Sequence, residues 1–430
     1  MLRDKSSVAA NVHRSLAQRF RITRIYMVTG LAFLGPAWFS LIRASEAITQ
    51  GQWHDPSLLA AIHLFVVGYA LTVVHGAILQ IVPVVFQGRL HSIRLGYIQY
   101  VFMVLGSFSF PVGFLTKQWN IVAAGGISVL VAFLLLFWNL VQTARTLKKR
   151  TEALGTMVTF LFLLATAILG IGMALGYPLV GRATLPLHMV IGITGWFTTL
   201  VVVLSPRLMS FFVSSHYKKL RRSRPEFLLL IGMLAVVAGM ALRADGTVTS
   251  AATGMLVTGW ILYFAGYLQV LIHLYRHFRN RRRKDVEWVL KWIVIGLYGG
   301  LPVLATWAVV SSGFGSRWSF AIMLLFIFGF LQWGIAGYMA KILPFLRRAG
   351  RVSHGAAPNT DQVSGKRLPS VQDMLPQTPT VTALLGFAIA AILLTVGVLT
   401  GLGTLTVAGA IMGTVAWALY ATAMVVMYRR

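Results

Sequence analysis

Stretches of 18 or more mostly apolar residues recur along the whole chain, too often and too evenly for a soluble core. Each is long enough to carry a helix through the roughly 30 Å hydrocarbon layer of a bilayer. Inside that layer only a helix or a closed barrel satisfies its own backbone. The runs fall at about 25–44, 58–87, 94–115, 119–145, 155–178, 185–213, 226–243, 250–276, 288–312, 317–346, 379–401 and 404–427. An all-α membrane protein with twelve transmembrane helices is therefore predicted. A polar, basic tail, 1–24, leads straight into the first span, so no cleavable leader is expected. Residues 25–346 hold transmembrane helices 1–10, and 379–430 hold helices 11 and 12. Between them 347–378, rich in Pro, Ser, Gln and Asp, reads as a cytoplasmic linker.

The net charge of +28 points toward nucleic acid until its placement is considered. Basic residues cluster in alternate loops, around Arg89 and Arg94, Arg145 to Arg150, Lys218 to Arg224, Arg276 to Lys284, and Arg347 to Arg351. The opposite loops hold few charges, such as Glu46, Asp55, Lys117 and Arg243. That is the positive-inside bias of a multi-pass protein with both termini cytoplasmic, and a prokaryotic plasma membrane is the expected location. No aromatic-interleaved basic module is present, so the expected partner is the lipid bilayer, with some basic loops holding anionic head groups, and no nucleic acid.

Two of the spans share one design. His63 is followed by Gly68, Gly76 and Pro83; Leu324 is followed at the same offsets by Gly329, Gly337 and Pro344. A looser copy runs from His188 through Gly192 and Gly195 to Pro206. These are spans 2, 6 and 10, which suggests three pseudo-symmetric groups of four helices around the membrane normal. Two copies begin with an imidazole, and the third has Leu324.

Imidazole inside a bilayer is costly and usually has a ligand or partner. His63 and His188 lie at equal depth, roughly 5–10 Å inside the outer face at 1.5 Å per residue. Equal depth suits either two axial ligands of one haem or a buried hydrogen-bonded pair; both readings are open at this point. His75 lies roughly 18 Å deeper and about 120° around the helix. A structural hydrogen bond and a second, deeper cofactor are both open for it. Met189, Met209, Met323 and Met339 are further soft donors. His273 and His277 have metal-pair spacing but adjoin Arg276 to Arg283, where a basic interfacial helix end is expected instead. With no cysteine, thiolate sites and covalently attached haem are excluded, so a metal would rest on His, Met or Tyr. All ten acidic residues fall outside the spans or at their margins, which disfavours a proton pump or ion-coupled transporter.

With twelve spans, three arcs of four and histidines on spans 2 and 6, the chain resembles the haem–copper oxidase subunit I superfamily, which includes the nitric oxide reductases. The resemblance implies a low-spin haem ligand at His63 and an active-site metal ligand at His188. Met189 and Val190 replace the family's Pro-Glu after the span 6 His, span 7 lacks its His pair, and span 10 has Leu324 in place of haem-ligating histidines. The usual haem–copper centre is therefore not expected, and copper, though compatible with the donors present, finds no ligand motif. The expectation is a b-type haem near the outer face, held as metal by His63 and His188, with a second haem open. Arg182 or Arg317 would pair with the propionates. Electron transfer or nitric oxide and oxygen handling, with a redox partner or other membrane subunits, would follow. An enzyme of this kind would be a haem-dependent oxidoreductase. The alternatives are a cofactor-free membrane subunit or assembly factor that kept the fold, and a transporter.

Overall fold

The structure, a computed structural model, describes residues 2–148, 157–215, 225–282 apart from 245 and 247, 285–310, 316–355, 362–363, 366–367 and 371–429. Helices dominate it. In chain order they are α1 (Leu2–Arg43), α2 (Pro56–Val85), α3 (Ile93–Leu115), α4 (Trp119–Ala144), α5 (Phe160–Ala174) and α6 (Gly181–Phe212). There follow α7 (Pro225–Ala241), α8 (Ser250–Arg279), α9 (Trp288–Val310), α10 (Arg317–Gly350), α11 (Gln377–Thr400) and α12 (Gly403–Arg429). Among the described residues 10 helices are long and apolar enough to cross a membrane, by length and composition; α5 and α7 are shorter.

Helix starts follow capping chemistry. The Asp55 carboxylate accepts from Leu58 N at 2.9 Å with Pro56 in the first turn of α2, and Ser92 accepts from Leu95 N at 3.2 Å to begin α3. The α11–α12 turn closes on Gly401 in the left-handed region at φ 74°.

Helix extends beyond the apolar runs at two places. The tail ahead of the first span is helical from Leu2, because 2–29 contain neither Gly nor Pro to stop α1. Within 347–378 the helix of α10 continues to Gly355, and Gln362–Val363 pairs with Lys366–Arg367. Linker positions 356–361, 364–365 and 368–370, and the basic loop positions 149–150, 218–224 and 283–284, lie outside the described residues.

Three tight hairpins, α3–α4, α7–α8 and α11–α12, form where glycines let backbones meet. A Cβ on Gly106 would sit 2.8 Å from Gly125 O, one on Gly232 2.6 Å from Gly259 O, and one on Gly409 2.9 Å from Ala390 O. The most enclosed spans are α2, α6 and α10, whose apolar windows are 67%, 78% and 78% buried, against 39–56% for the other spans. They meet through Phe65 and Phe328, 4.7 Å apart, and through a 2.6 Å hydrogen bond between Ser205 and Tyr338.

Each of these central helices is wound wider over one stretch. The π-helical segments are Leu64–Leu71, Ile191–Thr198 and Leu325–Leu331, beginning within three residues of His63, His188 and Leu324. Threonines brace two of them by reaching five residues back: Thr72 Oγ1 donates to Val67 O at 3.0 Å and Thr198 Oγ1 to Ile193 O at 2.9 Å. Such segments are rare and concentrate at functional sites.

Candidate functional site

Beside the first turns of α2 and α6 lies a cavity of about 400 Å³, within the roughly 300–1,000 Å³ typical of cofactor sites. Helices α2 to α6 surround it, and α10 closes one side through Phe320, Met323 and Ile327. Trp53 and His54, from the α1–α2 connection, line one end; Leu71, Val129 and Trp196 lie deeper along the helices. Among the described residues no Asp, Glu, Lys or Arg lines it.

Both predicted imidazoles face this cavity. Their ring centres are 6.5 Å apart with planes 21° from parallel. His63 Nδ1 lies 2.8 Å from Leu59 O, one turn back on α2, and His188 Nδ1 lies 2.9 Å from Thr166 O on α5. A carbonyl can only accept, so each Nδ1 carries the proton and each Nε2 presents a lone pair. Neither Nε2 has a protein partner among the described residues, and the cavity is the open space beside both rings. Two nitrogen donors thus share one apolar chamber.

The surroundings hold both rings in place. Phe110 and Phe114 of α3 pack on the His63 ring at 5.0 and 4.8 Å. Gly170 lies under His188, where a Cβ would come within 2.8 Å of Cε1. With bonds of about 2 Å, two imidazoles facing each other across one metal would have ring centres about 6 Å apart. The observed spacing fits that requirement, and the backbone bonds at Nδ1 are the outer contacts that metal-bound histidines ordinarily make. The two nitrogen donors are of a kind that would hold a haem, while among the described residues no cation lines the chamber to meet its propionates. Among the described residues no group of three His, Asp or Glu side chains could hold a further metal ion.

The other site residues read from the sequence lie elsewhere. His75 is fully buried between α2 and α3, with Nδ1 3.4 Å from Gln99 Nε2 and with Nε2 enclosed and unpartnered. Arg182 makes its backbone bond to Ala244 O, and Arg317 donates to Thr49 O at 3.1 Å; neither lines the cavity. Met189 and Met323 do line it, whereas Met209 and Met339 are packed in the core. Four contributors carried no readable signal: the Thr166 carbonyl, Gly170, and the Phe110–Phe114 pair. His54 looked like an ordinary loop histidine, and only its neighbour Trp53, which packs 4.8 Å from Phe320, hints at a lining role.

The chain matches no protein-family model and no curated protein. Its fold is that of a haem–copper terminal oxidase. The cryo-EM structure of a heme-copper terminal oxidase dimer aligns with 98% of this chain and 84% of that one, with TM-score 0.57 and 12% sequence identity. At that identity the likeness speaks for fold alone, and at that level the resemblance read from the repeated spans holds.

Proposed function

We propose that this integral membrane protein binds one b-type haem between His63 and His188 and serves in electron transfer. The observation supporting this reading is the pair of Nδ1-protonated imidazoles offering lone pairs to one apolar chamber, 6.5 Å between ring centres. Bound there, haem would supply a one-electron centre, and holding it through both His63 and His188 would favour electron transfer over gas reduction. Leu59 O and Thr166 O fix the tautomers and raise the basicity of the ligating nitrogens. Phe110 and Phe114 exclude water from the His63 side. If only one of the two histidines held the group, nitric oxide or oxygen handling would become possible. A redox partner would dock near Trp53 and His54, at one end of the chamber. We also read α5 and α7 as crossing the membrane, giving twelve spans in three groups of four; the three glycine hairpins and the three π segments support that arrangement.

An oxidised and dithionite-reduced visible spectrum of the purified protein tests the reading. A sharp reduced α-band, lost in His63→Ala and in His188→Ala but kept in His75→Ala, is expected. Colourless, iron-free protein from haem-replete cells would overturn it. It would favour the second reading, a cofactor-free subunit or assembly factor, for which the fully buried Leu324 at the third repeat position speaks.

A further inference from the structure

We propose that a phosphate-bearing ligand, the head group of an anionic phospholipid, binds at the opposite end of the bundle from the two histidines. A cavity of about 460 Å³ lies there between α1, the α2–α3 turn and the end of α4. Three cationic side chains line it, Arg19 from α1, Arg89 from the turn and Lys148 beyond α4, with no carboxylate among the lining residues. Arg19 Nε is enclosed and has no protein hydrogen-bond partner. An unsatisfied guanidinium donor beside two further cations calls for an anion with several acceptor oxygens.

The turn is built to hold these charges. Past the end of α2, Gly88 N donates to Pro83 O at 2.8 Å, and Gln87 takes φ 58° to reverse the chain. Thr146 then ties the turn to α4: its hydroxyl accepts from Arg89 N at 3.0 Å and lies 3.1 Å from Arg89 O. Lys148 N donates to Gln87 O at 3.3 Å. Arg89 and Lys148 are thereby fixed side by side through backbone bonds, while their ammonium and guanidinium groups stay free to turn to a ligand.

A soluble phosphate and a phospholipid share the chemistry these groups recognise. The walls favour the lipid. Pro83 and Val84 form an apolar flank at the end of a membrane-crossing helix, and Val84 is 39% exposed, as a surface against the glycerol and first methylenes of a lipid would be. Basic pockets between transmembrane helices at the membrane surface bind anionic head groups in this way. The cavity shares no residue with the imidazole chamber, so this inference stands apart from the haem reading.

The full chain in detergent would be titrated with phosphatidylglycerol, with phosphatidylcholine and with inorganic phosphate, and bound ligand counted by native mass spectrometry. Saturable phosphatidylglycerol binding is expected, weakened about a hundredfold in Arg19→Gln/Arg89→Gln/Lys148→Gln, with phosphatidylcholine retention unchanged. Thr146→Val keeps every charge but unties the turn, and a several-fold loosening is expected. Phosphatidylglycerol retention unaltered in the triple variant would overturn the site. Saturable inorganic phosphate binding that the triple variant loses, without lipid retention, would overturn the lipid as its source. Matching helical circular dichroism of the variants shows that folding is not what changed.

Discussion

The side of the bundle between α2 and α6 is hollow, whereas the side between α10, α11, α12, α1 and α2 is solid. Both use the same device, a glycine that removes a Cβ so that a ring can lie against a neighbouring helix. On the solid side the rings are fillers. Gly413 seats Trp38 and Gly35 seats Trp417. Trp38, fully buried, then packs 5.0 Å from Phe328 and 5.9 Å from Phe387. The sector between α6 and α10 is closed similarly, by Trp292 stacked on Trp333 at 3.8 Å. On the hollow side Gly170 seats His188, and the ring faces open space. Indole completes packing there; imidazole leaves a lone pair looking for a partner. The difference lies in which ring the glycine admits.

Substitutions that exchange these two conditions should have unequal effects. The largest is expected from hollowing the solid side: Trp38→Ala should cost about 3–5 kcal/mol, read by denaturant unfolding in bicelles. A cost under about 1 kcal/mol would mean that this sector is not close-packed. Filling the hollow side should do the opposite. Ala167→Phe, projecting into the chamber, is expected to change stability by no more than about 1 kcal/mol while abolishing the haem spectrum. Large destabilisation there would show that the chamber tolerates no added volume. Gly170→Ala is subtler, since its Cβ would meet His188 Cε1 at 2.8 Å, closer than any ordinary contact, and force the ring to shift. A few-fold drop in haem retention by pyridine haemochrome assay is expected, and full retention would argue that the ring position is uncritical. The smallest effect is expected from Arg182→Gln and Arg317→Gln, which should leave haem retention unaltered because neither residue lines the chamber. Marked loss in either would restore it as a propionate partner.

The chain's own pattern displayed the spans, because bilayer-length apolar runs survive any local irregularity. It also paired His63 with His188, since equal distance from a span's start translates directly into equal depth. What stayed hidden depends on contacts between distant segments. Nothing marks Thr166 O as the acceptor for His188 or Gly170 as its seat, because neither carries a distinctive side chain. Arg182 and Arg317 were plausible from depth alone, yet depth does not say on which side of the bundle a residue lies. The π segments were invisible too: apolar residues fill them, and the wider winding leaves no compositional trace. Lys341, only 6% exposed on α10, escaped notice for a similar reason, since its partner Glu287 comes from before α9.

Those widened turns make each central helix a two-part shaft with a coupling in the middle. Deleting one residue from the ordinary helix of Thr72–Val85 would rotate everything after it by about 100°. Deleting one from Leu64–Leu71 would instead let that stretch rewind as ordinary helix, with His63 and His75 keeping nearly the same relative outlook. The two ends of α2 are thus kept in phase across a single surplus residue's worth of winding, and a one-residue deletion is expected to be better tolerated there than in the turns below it.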